Sequence, residues 1–147
     1  MTLIERVQAE LREAMKSGDR RRLDALRLLY SALQKAEKDT AEFGDAEALA
    51  VLRRERKQRV DAAEAYDAAG QAERAAHERA DLPVIDEFLP AAMSEAELEQ
   101  LVDAAIAETG ASTIKDMGRV MGLVTQRGQG RADGRVASAL VRSRLGA

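Results

Sequence analysis

At 147 residues, 46% of them hydrophobic and 33% charged, the chain is long enough to bury a core as one ordinary domain or two small ones. It has no cysteine, which excludes disulfides and thiolate metal sites, and its net charge of −3 argues against a generic nucleic-acid binder. No run of about 18 apolar residues is present to cross a membrane. The opening Met1-Thr-Leu-Ile-Glu-Arg-Val lacks the apolar stretch of a secretory signal, so a reducing cytoplasm is the expected location. Alanine, leucine, glutamate and arginine dominate, with two prolines and few aromatics, a composition that predicts an all-α fold.

The first predicted helix covers residues 2–17, with Leu3, Ile4, Val7, Leu11 and Met15 at helical spacing on its inward face. Ser17-Gly18 ends it, and Asp19 is suited to cap a second helix over 20–41 that turns Leu23, Leu26, Leu29, Tyr30 and Leu33 inward. Phe43-Gly44 breaks the pattern, and Asp45 is the expected cap of a third helix over 46–69. Short connections make these helices antiparallel neighbours. Within the third helix, Arg53-Arg-Glu-Arg-Lys-Gln-Arg59 places five basic residues in seven, wrapping most of the helix, so this turn is expected to project past the core. The competing readings are a solvated face laced with pairs such as Glu55–Arg59 and a second basic contact surface.

Gly70 stops the third helix, and a fourth begins near Gln71 and is interrupted or kinked by Pro83. Apolar residues resume at Val84, Ile85, Phe88 and Leu89, and Pro90 closes the element. The domain boundary is placed there, giving an N-terminal helical bundle over 1–90 and a smaller three-helix tail domain over 91–147. Ser94-Glu-Ala-Glu97 reads as a capping box for a fifth helix over 95–109 that buries Leu98, Leu101, Val102, Ala105 and Ile106. Ser112 is the expected cap of a sixth helix over 113–127, with Ile114, Met117, Val120, Met121 and Val124 inward. Asp133 is the expected helix cap of the last, over 134–145.

Charge and glycine are both unevenly spread. Residues 94–114 carry five acidic side chains and no basic one, whereas residues 115–147 carry seven basic against two acidic, +5. The stretch from Asp116 to Arg135 holds half of the ten glycines, Gly118, Gly122, Gly128, Gly130 and Gly134. Glycine costs about 1 kcal/mol in a helix interior relative to alanine, so this density points to close backbone approach or close packing. Gly118 and Gly122 lie four apart and suit a neighbouring helix or a ligand; Gly128-Gln-Gly130 reads as a turn, and Gly130 and Gly134 would let an RNA backbone come close. Arg119, Arg127, Arg131 and Arg135 accompany them, and an arginine fork beside bare backbone suits phosphate or carboxylate. Together with Lys115 these arginines form a candidate RNA-binding face, weighed against plain solvated surface.

No catalytic constellation accompanies this stretch. The single histidine, His77, sits in polar sequence, the serines lack a visible partner base, and no metal-ligand cluster stands out. The glycines follow no strand and do not spell a P-loop or a dinucleotide fingerprint. The expectation is no catalytic residue, no metal and no cofactor.

Several segments resemble the GatB/YqeY family, and specifically its short free-standing YqeY-like proteins. These are Arg22-Leu-Asp-Ala-Leu-Arg-Leu-Leu-Tyr-Ser-Ala-Leu33, Glu55-Arg-Lys-Gln-Arg59, Phe88-Leu-Pro90, Lys115-Asp-Met-Gly-Arg-Val-Met-Gly122 and Gly130-Arg-Ala-Asp-Gly-Arg135. The resemblance covers nearly the whole chain. It departs at Pro83, where relatives read as continuous helix, and at Gln126 and Gln129, where more basic character is expected. It implies a helical bundle followed by a helical tail similar to the C-terminal domain of the GatB subunit of the tRNA-dependent amidotransferase. The implied role is a tRNA-associated accessory module, with tRNA as partner and an aminoacyl-tRNA synthetase or amidotransferase as companion protein. A protein-binding helical adaptor without RNA contact is the alternative. An accessory part of a glutamine-dependent carbon–nitrogen ligase is the third reading, by homology to a non-catalytic region.

Overall fold

The structure, a computed structural model, describes residues 1–146; Ala147, the last residue of the expected tail, lies outside them. The fold is all-α, with no strand among the described residues. The chain divides into two compact units, Met1–Leu89 and Pro90–Ala147.

The first unit contains α1 (Leu3–Ser17), α2 (Arg20–Asp39), α3 (Asp45–Ala68), α4 (Ala72–Ala80) and the single-turn α5 (Leu82–Asp86). Helix α1 starts on a reciprocal cap: the Thr2 hydroxyl accepts from the Glu5 N–H at 3.2 Å, and the Glu5 carboxylate accepts from the Thr2 N–H at 2.9 Å. It ends at Gly18, whose φ of +77° is the left-handed geometry of a helix stop. Asp19 then caps α2 by accepting from the Arg22 N–H at 3.1 Å. Asp45 behaves differently from expectation. Gly44 occupies the cap position of α3, with Glu47 accepting from its N–H, and the Asp45 carboxylate instead accepts from the Leu3 N–H at 2.9 Å. It thereby satisfies one of the four free donors at the start of α1, where a tertiary partner outcompeted the local one.

The core is aliphatic. Leu26, Leu29, Leu33, Leu52 and Ile85 are fully buried, with Val7 and Phe88 beside them. Each such leucine contributes about 1.5–3 kcal/mol by leaving water. Met15, expected inward, is 58% exposed, and Ala14 turns inward in its place. Tyr30 is half-buried at the edge of the core.

The basic turn of α3 does not project past the core. Arg59 is 7% exposed; it donates to the Glu55 carboxylate at 3.1 Å and to Asp81 at 3.5 Å. The i,i+4 pair is therefore present, but buried rather than solvated. Arg56 donates to Asp86 at 2.7 Å, and Arg22 from α2 donates to Glu87 at 3.1 Å and Glu10 at 3.0 Å. The acids at 81, 86 and 87 bracket α5, which exists as a separate turn because Pro83 stands in its first turn and cannot continue α4. Three arginines thus hold the short element that carries Ile85 and Phe88 into the core.

The second unit contains α6 (Glu95–Thr109), a 3-10 turn at Ile114–Asp116, α7 (Met117–Gly128) and α8 (Gly134–Gly146), packed around Leu98, Val102, Ala105, Val120, Val124 and Val141. Ser94 caps α6, accepting from the Glu97 N–H at 3.1 Å. The other half of the expected capping box is not made, because the Glu97 carboxylate accepts from the Ser94 hydroxyl and from Arg131. The sixth expected helix starts later than 113. Ser112 is not its cap: the Ser112 and Thr113 N–H groups both donate to Asp116, which draws residues 114–116 into the tighter turn ahead of α7.

Candidate functional site

The expected basic face is built from three local devices in the second unit. The first is the turn at Asp116. Its Oδ2 accepts from the N–H groups of Ser112 at 3.0 Å and Thr113 at 3.2 Å, and its Oδ1 from Arg119 at 2.7 Å. The Ser112 N–H, then the Arg119 guanidinium and the Thr113 N–H, hold the Asp116 carboxyl down at about 2, well below the ordinary carboxylate range. Lys115 belongs to this turn and not to α7, so the sixth helix expected to hold both Lys115 and Arg119 holds only Arg119: both are exposed, but different elements present them.

The second device is a set of arginine clasps onto α6. Arg127 at the end of α7 donates to Glu108 at 2.6 Å, Arg131 to Glu97 at 3.1 Å, and Arg144 of α8 to Asp103 at 2.8 Å. The acidic block and the basic end thus answer one another. Over residues 90–147 seven basic side chains meet seven acidic ones, a net of zero. Arg131 does more: its Nε donates to the Ala91 carbonyl at 2.8 Å, and its own carbonyl accepts from the Met93 N–H at 2.9 Å. Sequence inspection did not single out Arg144, whose partner lies 41 residues away, beyond the reach of any periodic pattern.

The third device is the connection from α7 to α8. Gln129 and Gly130 take successive left-handed conformations, with φ of +48° and +76°, and reverse the chain. Asp133 then accepts from the N–H groups of Arg135 at 2.9 Å and Val136 at 3.2 Å at the start of α8. Arg135 is held in the first turn of that helix.

The glycines separate by function. Gly128 is buried, and a Cβ there would lie 2.8 Å from the Cβ of Ala132, so close packing requires it. Gly118, Gly122 and Gly134 have nothing within 4 Å of such an atom. The two within α7 therefore face open space, and no described helix of the second unit packs on them.

Elsewhere, a shallow cleft of about 330 Å³ lies along the end of α3 and α4, lined by Tyr66, Glu73, Arg74, His77 and Glu78. It contains the single histidine, with the Arg74 guanidinium 5.9 Å from the Tyr66 ring centre. Among the described residues no group of acidic, histidine or cysteine side chains is arranged to hold a metal ion, and no helix is long and apolar enough to cross a membrane.

A family profile described as YqeY-like protein matches residues 4–145. The chain belongs to the YqeY-like family. No curated protein matches it. The segments that carry the resemblance have distinct physical employment in this YqeY-like chain. Glu55–Arg59 clasps α5, Phe88 fills the first core, and Gly130–Arg135 turns the chain and starts α8. Lys115–Gly122 differs from these, because a Cβ at Gly118 or Gly122 would have no described atom of a neighbouring element within 4 Å.

Proposed function

We propose that this YqeY-like chain is a non-catalytic accessory module that associates with tRNA through its second unit. The observation that carries the reading is the open side of α7. Gly122, in the interior of α7, costs about 1 kcal/mol relative to alanine, and Gly118 stands in its first turn; among the described residues no side chain lies within 4 Å of where a Cβ would stand at either, so close internal packing does not account for them. Bare backbone facing outward beside exposed Lys115 and Arg119 suits close approach of a phosphate backbone. The likeness of the tail to that of the GatB amidotransferase subunit supports the same partner. Arg119, Arg127 and Arg131 are engaged with carboxylates, but ion pairs of exposed arginines are worth about 0–1 kcal/mol, so phosphates can compete for them. No aromatic side chain stands here to stack a base, so recognition is by shape and backbone.

A second reading is favoured by a specific observation. The balanced charge of the unit, with three arginines spent on α6, suits a helical adaptor whose partner helix packs against Gly118 and Gly122. One pair of variants separates the two. Lys115→Gln with Arg119→Gln is expected to weaken tRNA binding and lower the slope of log affinity against log salt by about 2, at ~0.9 per phosphate. Gly122→Leu, which projects into open space and leaves the fold intact, is expected to weaken tRNA binding by blocking approach. Retention of parental tRNA affinity by both variants across a salt series, with Gly122→Leu abolishing a salt-insensitive protein contact, rejects the RNA reading for the adaptor. Arg131→Ala is a poor probe, because it also unfastens residues 91–93.

A further inference from the structure

The outward side of α2 carries a line of positive charge that neither the fold nor the tail site uses. Leu23, Leu26, Leu29 and Leu33 turn one side of this helix into the first core. At 100° per residue, Arg20, Arg27, Lys35 and Lys38 fall on the opposite side within an arc of about 80°. All four are exposed. Arg21 and Asp39 flank them at one and the same angle, and Asp24 is the one acid inside the arc. Asp24 approaches Arg27 only at 4.0 Å, the limit of an ion pair, and Arg20, Lys35 and Lys38 make no ion pair among the described residues. The contrast with the rest of the unit is sharp, since residues 1–89 carry sixteen basic side chains against nineteen acidic.

We infer that the outward face of α2 is a docking surface for the phosphate backbone of a double-stranded RNA segment. The line from Arg20 to Lys38 is about 27 Å long at 1.5 Å per residue, so its charges cannot converge on one small anion. They match an extended polyanion. The face presents no aromatic side chain, which disfavours a single strand held by base stacking. Its one large apolar side chain is Leu28, too little for the apolar centre of a protein interface. Insertion into a bilayer needs the apolar side of the helix, and that side is buried in the core. The site is on a different unit from the one proposed above and stands or falls separately.

The test uses the full chain, a 16-base-pair RNA duplex of arbitrary sequence, and vesicles of phosphatidylglycerol. Replacing Arg20, Arg27, Lys35 and Lys38 together by glutamine is expected to lower duplex affinity roughly tenfold or more and to reduce the salt slope by about 3 to 4. Circular dichroism is expected to stay unchanged, since no replaced side chain enters the core. Asp24→Asn, which removes the one acid, is expected to raise affinity by up to about fivefold. Lys115→Gln with Arg119→Gln is expected to leave the contribution of α2 in place, so the two sites are read independently. Unchanged duplex affinity and slope in the fourfold variant overturns the inference whatever the tail variant does. So does failure of the parent chain to bind the duplex at 50 mM salt, or loss of vesicle binding in the fourfold variant with duplex binding intact.

Discussion

Both units use arginines to hold acids, but the pairs of Arg59 in the first unit lie deeper than any arginine pair of α6 in the second. In the first, the Arg59 side chain is 9% exposed and its partners Glu55 and Asp81 are 23% and 15% exposed. In the second, Arg127, Arg131 and Arg144 are 45%, 38% and 37% exposed against comparably exposed carboxylates. The geometry of each bond is similar, yet the consequences of breaking one differ. A buried pair that loses one member leaves a charge without water, whereas an exposed pair is replaced by solvent. The first unit depends on its clasp; the second wears its clasps on the outside, where a polyanion can take them over.

The largest expected effect sharpens this contrast. Arg59→Ala should destabilise the first unit by about 3 kcal/mol, because Asp81 and Glu55 remain largely buried without their partner. Arg127→Ala should cost the second unit at most about 1 kcal/mol. Urea unfolding followed by hydrogen exchange, resolved by unit, measures both; equal losses would erase the distinction. The next effect lies among the glycines. Gly128→Ala should destabilise the second unit by about 1–3 kcal/mol through the clash with Ala132, while Gly122→Ala should stabilise it by up to about 1 kcal/mol. Thermal melts of the two variants are expected to shift in opposite directions. If both shift downward, the open face of α7 is not open in solution.

The smallest effect concerns the turn at Asp116. Its carboxyl is held at about 2 in the folded chain, below the ordinary aspartate value of about 3.9. The stabilisation it provides is therefore fully present above about pH 4 and is lost as the pH falls through about 2. Asp116→Asn should flatten this acid limb and free the N–H groups of Ser112 and Thr113 to exchange faster. A proton titration of the Asp116 carboxyl with a midpoint near 4 would remove the basis for this expectation.

Local chemistry made most of the fold readable. Helix periodicity marks the aliphatic faces, Asp19 and Ser94 mark helix starts, and Gly18 and Gly70 mark stops with left-handed geometry. What was not readable depended on partners far along the chain. Asp45 looks like a cap of its own helix until Leu3 is beside it. The basic turn of α3 looks solvated until Pro83 detaches α5 and brings Asp81 and Asp86 to it. The candidate site divides the same way. The residues are evident from composition, but their pairing to Glu97, Asp103 and Glu108 requires the tertiary fold. Gly128 and Gly122 are indistinguishable as letters; only their surroundings separate a packing requirement from an open surface.

The bonds from Arg131 to residues 91–93 bear on where this tail begins as a transferable part. Judged by helices alone, a gene fragment or fusion could start at Ser94. Such a cut would keep α6, α7 and α8 whole, yet remove both the Ala91 carbonyl that receives the Arg131 guanidinium and the Met93 N–H that meets the Arg131 carbonyl. The three non-helical residues ahead of α6 act as a strap across the reversal before α8. A graft of this tail onto another protein therefore needs its cut placed upstream of Ala91, with the linker joined to the strap and not to the first helix.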